Sequence, residues 1–147
     1  MLAQQYASHL SGNLEGRICV LSEEQCSPLV EDALVKSLQA LKVNTEELLY
    51  VTIDSLTHQD IVRICEMFDP RIIIASNAYA SALLLDSYSA YSRKPHLAST
   101  EQTIAKGTLI TVFSRCCLVF SNLEELLGTQ EGKRQAWMLL KQLKAFL

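Results

Sequence analysis

The sequence predicts an α/β fold of three layers, α/β/α, with a mainly parallel central sheet of about four to five strands. Three observations lead there. Runs such as Arg17-Ile18-Cys19-Val20-Leu21 and Arg71-Ile72-Ile73-Ile74-Ala75 are continuously β-prone rather than alternating, the pattern of strands buried on both faces. The segments between such runs carry apolar residues at helical spacing. A chain of 147 residues, 49% of them hydrophobic and 20% charged, is also long enough to build one domain with a substantial core.

Residues 1–16 mix Gln4, Gln5, Ser8 and Asn13 with Tyr6 and Leu10, and Ser11-Gly12-Asn13 is a turn signal. They read as an N-terminal arm, free to flex and to bind a partner, before a single domain over 17–147. The first strand is Arg17 to Leu21. Ser27 before Pro28 is a cap and first-turn signal, with Glu31 and Asp32 near the positive helix end. Leu29, Val30, Ala33, Leu34, Leu38 and Leu41 then recur at helical spacing, which makes an amphipathic helix that closes by Asn44-Thr45-Glu46-Glu47.

Leu48 to Thr52 is a second strand. Thr57 caps a helix bearing Ile61, Val62, Ile64, Cys65 and Phe68, which must stop near Asp69-Pro70. Arg71 to Ala75 is a third strand, and Ser76-Asn77 leads into a small-residue helix with Ala78, Ala80, Ala82, Leu83 and Leu84. Residues 86–106 show no clean period and read as an irregular, functional or mobile segment. Thr108 to Phe113 and Cys116 to Phe120 read as two strands joined tightly through Ser114-Arg115, a hairpin at the sheet edge. Gly128 and Gly132 bracket a loop, and Lys133 to Leu147 is a last helix with Ala136, Leu139, Leu140, Leu143 and Leu147 on one stripe.

Composition excludes several classes. The chain lacks the low hydrophobicity of a disordered protein, an apolar run of about 18–20 residues and a signal-peptide start, so a cytoplasmic location is expected, without a membrane partner. Five cysteines in odd number, with no C-x-x-C pair, argue against a disulfide framework or zinc site and for reduced, mostly buried thiols. The formal charge of −3 conceals a split: residues 1–60 hold nine acids and three bases, net −6, and residues 61–147 seven acids and ten bases, net +3. No basic block dominates, which favours protein partners or a small ligand over a protein bound through phosphate contacts.

In an open α/β sheet the ligand crevice lies beyond the C-terminal strand ends. Those ends carry Ser22-Glu23-Glu24-Gln25, Asp54, Ser76-Asn77 and Ser121-Asn122. Glu23, Glu24, Ser76, Asn77, Ser121 and Asn122 are therefore the candidate ligand crevice. In a catalytic reading Glu23 or Glu24 is a general base orienting water, and Asn77 or Asn122 donates to an oxyanion or a base edge. The same residue types equally serve as solvated loop carboxylates and helix caps.

Nucleotide-binding and hydrolase motifs are absent, and His9, His58 and His96 lack the spacing of a metal site and read as surface residues. No metal or cofactor is expected. Of the adjacent Cys116 and Cys117, strand alternation lets at most one point to the core. Tyr88, Tyr91, Arg93, Lys94 and His96 form an aromatic and basic cluster that suits single-stranded nucleic acid or a plain polar loop. Lys133, Arg134, Lys141 and Lys144 give the last helix a basic side.

Two resemblances follow. Pro28-Leu29-Val30 opening a helix, Leu41-Lys42-Val43 before Thr45-Glu46-Glu47-Leu48-Leu49, the Thr52-Ile53-Asp54-Ser55-Leu56 exit, and Ser121-Asn122-Leu123 followed by Lys133-Arg134-Gln135-Ala136-Trp137 together resemble the psi subunit family of bacterial DNA polymerase III. Asp69 to Ala75 running into Ala78 to Leu84, with Lys133 to Leu147, is similar to the uracil-DNA glycosylase superfamily. That superfamily's water-activating motif would fall at Ser22 to Cys26, where Glu23 matches an acidic residue but the glycines and proline are missing. Its histidine-proline motif would fall at Ser121-Asn122, without the histidine.

The chain thus looks like that fold with its chemistry removed, as the psi resemblance implies: a non-enzymatic replicase subunit. By that resemblance it joins the tau/gamma clamp loader to the chi subunit and, through chi, to single-strand binding protein and DNA. The family's clamp-loader tether maps to Met1 to Asn13, with Leu2, Tyr6 and Leu10 as apolar anchors, although the family's tryptophan and arginines are missing there. The alternative is a glycosylase-like repair enzyme, or a catalytically dead relative, with Glu23 and Asn122 as its catalytic pair.

Overall fold

The computed structural model describes residues 6–92 and 108–146, and these contain six strands: β1 Leu10–Gly12, β2 Ile18–Ser22, β3 Leu48–Thr52, β4 Ile72–Ala75, β5 Thr108–Val112 and β6 Arg115–Val119. All six join one sheet in the order β1-β3-β2-β4-β6-β5. The central four are mutually parallel, and β1 and β5 close the two edges antiparallel. The helices are α1 Pro28–Ala40, α2 His58–Phe68, α3 Ala78–Ser92, α4 Leu123–Leu126 and α5 Gln130–Leu140, the last continuing as a 3-10 turn over Lys141–Phe146.

The lack of alternation in the strands is explained by two cores. On one face Cys19, Leu21, Ile73, Ala75, Cys117 and Val119 meet Ile61, Ile64 and Cys65 of α2 and Ala80, Leu84 and Leu85 of α3. On the other, Ile18, Val20, Ile72, Ile74 and Leu118 meet Val30, Leu34 and Leu38 of α1 and Ala136 and Leu140 of α5. Cys116 and Cys117 are both buried, one in each core, because both faces of β6 are covered. The expectation that only one reaches a core assumed a single apolar face. Four cysteines are buried, Cys26 is partly buried, and all five are free.

The starts of the helices follow the local signals. Ser27 Oγ accepts from the Val30 amide at the α1 N-terminus, and Pro28 stands in the first turn. Thr57 and Asp60 form a reciprocal capping box on α2, which stops at Asp69 in a left-handed conformation just before Pro70. No helix among the described residues is long and apolar enough to cross a membrane.

Several expectations need correction. Residues 6–16 are no arm: β1 pairs with β3 in the register Leu10–Val51, Ser11–Tyr50 and Gly12–Leu49, and Tyr6 is buried. This added edge strand takes the sheet beyond four to five strands to six. Gly12 serves there because its φ is 85° and a Cβ would come within 2.6 Å of the Leu48 carbonyl oxygen. The irregular segment expected from residue 86 is helical as far as Ser92, and 93–107 lie outside the described residues.

The hairpin turn is Phe113-Ser114 rather than Ser114-Arg115, with φ of 54° and 62°, the left-handed pair a two-residue hairpin requires. The last helix begins at Gln130, capped by Thr129, so Gly132 sits inside it. A Cβ on Gly132 would lie 1.7 Å from the Leu126 carbonyl oxygen, so the glycine permits close contact with α4. His9 is only partly exposed, with Nδ1 at 2.8 Å from the Thr52 carbonyl oxygen, while His58 is exposed as expected and His96 lies outside the described residues.

Candidate functional site

From β2 the chain passes through α1 to β3 on one side, then crosses through α2 to β4 on the other. The C-terminal ends of β2 and β4 are therefore the switch point where a crevice opens in such sheets. A cleft of about 240 Å³ lies there, with Ser22, Glu23, Glu24, Cys26, Ser76, Asn77, Asn122 and Glu124 in its wall. The sequence-expected set is thus largely brought together. Ser121 stands apart, partly buried beside the cleft and not in its wall.

The floor is a relay of hydroxyls. Ser76 Oγ donates to the Leu21 carbonyl oxygen at 3.2 Å, Ser22 Oγ is 2.6 Å from Ser76 Oγ, and Cys26 Sγ is 2.9 Å from Ser22 Oγ. A serine has one proton to donate. With that of Ser76 on the carbonyl, Ser22 must donate to Ser76, and the Cys26 thiol to Ser22. Burial pushes the Cys26 thiol up, which keeps it protonated in this donor role, although the Ser22 hydrogen bond acts in the opposite direction. The chain of protons ends on backbone, and among the described residues no imidazole or carboxylate is hydrogen-bonded to either serine to act as its base.

The two asparagines are helix caps. Asn77 Oδ1 accepts from the Ala80 amide at 2.9 Å at the start of α3, and Asn122 Oδ1 accepts from the Glu125 amide at 3.0 Å at the start of α4. Their backbones also bridge each other across the cleft. The alternative role for these residues, as donors to an oxyanion, would leave only their side-chain amide nitrogens. Glu23 and Glu24 are exposed at the rim, joined by Glu124 from α4. Three carboxylates line the entrance by which a phosphate would arrive, which disfavours it by Coulomb repulsion.

Glu124, Cys26 and Ser27 were missed as wall residues. Asn122-Leu123-Glu124-Glu125 does carry a cap signal for α4, with acids in the first turn, but four residues give no helical period to confirm it. Among the described residues no cluster of three or more His, Cys, Asp or Glu side chains is arranged to hold a metal ion.

The tether candidates end elsewhere. Tyr6 is buried in the core beneath α2, its hydroxyl donating to Asp60 Oδ1 at 2.7 Å. Leu10 is partly buried in β1, and Leu2 lies outside the described residues. Tyr6 and Leu10 are thus packed within the domain, because β3 and α2 together form a slot for the segment before β2. Of the aromatic and basic cluster, Tyr88 lies on α3 and stacks edge-on against Phe113, with centroids 5.3 Å apart; the Tyr91 side chain and residues 93–96 lie outside the described residues.

The chain matches no protein-family model, and a search of curated proteins finds no match to it.

Proposed function

We propose that this chain is a non-enzymatic adaptor of bacterial replication, a psi-like subunit of the DNA polymerase III holoenzyme. It bridges the tau/gamma clamp loader to chi, and through chi to single-strand binding protein, in the cytoplasm. The observation that supports this reading is the state of the switch-point cleft. Its serines form a relay that ends on a backbone carbonyl, its asparagines cap helices, and its rim is acidic. A domain with such a cleft is poorly suited to hydrolysing a base from polyanionic DNA and well suited to service as a scaffold. Leu2 is the remaining apolar anchor for the clamp loader, since Tyr6 and Leu10 pack within the domain.

Binding to purified chi and to the clamp loader tests the proposal. Stable complexes are expected at low and moderate salt, and absence of both would overturn it. A glycosylase-like reading has one observation in its favour: Glu23 and Asn122 share the cleft. Release of uracil from single-stranded DNA by the wild-type chain, abolished in Glu23→Ala, would replace the adaptor with that enzyme.

A further inference from the structure

The protons on the floor of the switch-point cleft are all committed. Ser76 Oγ donates to the Leu21 carbonyl oxygen, Ser22 Oγ to Ser76, and the Cys26 thiol to Ser22. A hydroxyl oxygen carries two lone pairs, and the relay fills one on each serine, so each keeps one open. Ser22 and Ser76 are only 4% and 7% exposed, and both stand in the cleft wall. The floor therefore accepts hydrogen bonds and has no serine proton left to give. A ligand that reaches it has to bring its own donors.

The charge around the cleft makes the same demand. Glu23, Glu24 and Glu124 line it, and no basic residue does so among the described residues. Helices α1 and α3 begin at the cleft, and their N-termini bring about +0.5 elementary charge each, about +1 together against three carboxylates. Ser27 and Asn77 already cap first-turn amides of those two helices, so the field inside the cleft is negative. The carboxylates do not converge on one point: among the described residues no three His, Cys, Asp or Glu side chains are arranged to hold a metal ion. Charge spread along a rim, above an accepting floor, suits an extended cation better than a compact one. Val30 gives the wall an apolar surface for an alkyl chain.

We propose that the cleft binds a small aliphatic diamine, with one ammonium seated on the Ser22 and Ser76 hydroxyl oxygens and the other held among the rim carboxylates Glu23, Glu24 and Glu124. An ammonium has three donors and no acceptor, which answers both the spent protons of the floor and the charge of the rim. The cleft volume of about 240 Å³ admits a short alkyl chain between the two head groups. Phosphates and free nucleotides fit less well, because they add anionic oxygens to a wall that already carries three carboxylates. Diamine binding neither requires nor excludes an adaptor role, and the two are measured separately.

Calorimetric titration of the full chain with putrescine is expected to show one saturable site that weakens at high salt, and the amide resonances of Ser22, Ser76 and Asn122 are expected to shift as it fills. Butylamine, which keeps one ammonium, is expected to bind about fivefold more weakly. Tetramethylputrescine keeps both charges but a single donor on each nitrogen, and is expected to bind about tenfold more weakly, a loss that charge alone does not produce. Glu124→Gln, at an exposed rim position, is expected to weaken putrescine binding about fivefold. Glu46→Gln removes the same charge at an exposed position outside the cleft and is expected to leave binding unchanged. Absence of saturable binding, or an equal loss in the two variants, would overturn the assignment. So would tetramethylputrescine binding as tightly as putrescine, or Mg²⁺ or inorganic phosphate binding more tightly at the same resonances.

Discussion

Ser22 and Ser76 show what a single residue contributes to the cleft. Both are strand-end serines, legible as such, but their mutual hydrogen bond depends on residues 54 positions apart meeting across β2 and β4. Their position could be read from the strands; their internal hydrogen bonding could not. Tyr6 was illegible for the same reason: its hydroxyl finds Asp60, also 54 residues away. The hairpin turn is a residue-scale feature with a testable cost. Ser114 has φ of 62°, where a Cβ crowds the following carbonyl and glycine does not. Ser114→Gly is expected to stabilise the fold by about 1 kcal/mol. A rise in the urea midpoint at unchanged slope would register it, whereas a fall would show that the turn is held by the serine itself.

At the scale of elements, α2 shows how a legible local signal becomes tied to tertiary structure. Thr57 as N-cap was readable, and the reciprocal bond from the Thr57 amide to Asp60 Oδ2 at 2.9 Å completes the box. Asp60 additionally holds the Tyr6 hydroxyl, so one carboxylate fastens both the helix start and the segment leading into β1. The Thr57 backbone hydrogen bond, chiefly, holds the Asp60 carboxyl below its usual range, and the Tyr6 hydroxyl adds to this. A depressed folded value means that the charged form is favoured in the native state. The stability so contributed is present above the unfolded carboxyl pKa of about 3.9 and is lost as pH falls through the folded value. Amide protection at the start of α2 and in β1, corrected for the intrinsic pH dependence of exchange, should therefore fall below about pH 4, and Asp60→Asn should flatten this dependence. An unchanged profile in Asp60→Asn would assign the acid response to other carboxylates.

Arg115 is an element-scale residue that periodicity could not identify. From the first position of β6 it donates to the carbonyl oxygens of Pro70, Phe113 and Cys65 at 2.8, 2.8 and 3.1 Å, and to Asp69 Oδ1 at 2.6 Å. It thereby fastens the C-terminus of α2 to the hairpin. In sequence it is one more residue of a tight turn, because Cys65, Asp69 and Pro70, three of its four partners, lie 45 to 50 residues earlier. α4 escaped notice for a different reason, being only four residues long.

Across the whole molecule, covering both sheet faces sets the chemistry of the thiols. Burial pushes Cys19 and Cys117 well up, and Cys65 and Cys116 up to about 11. Cys26, at the cleft, is raised and only partly covered. At pH 8 a thiol-specific reagent should modify Cys26 first, and the other four only as the domain opens. Prompt titration of more than one thiol in native buffer would contradict the three-layer core; all five should titrate in denaturant. Charge is also divided in space, with carboxylates at the cleft rim and the exposed cations Lys133 and Arg134 along α5. The sequence showed the division between its halves but not which surfaces would carry it.

What the sequence by itself determined is the identity of the central strands and the starts of α1, α2 and α3. Each rests on a pattern contained within a few residues: a continuous apolar run, a 3.6-residue period, or a capping side chain three positions from its donor. Only the tertiary structure decided that residues 6–16 complete the sheet, that Cys116 and Cys117 enter opposite cores, and that Glu124 joins Glu23 and Glu24. Strand order and burial depend on contacts between segments far apart in the chain, and a local pattern cannot encode which distant segment will cover it.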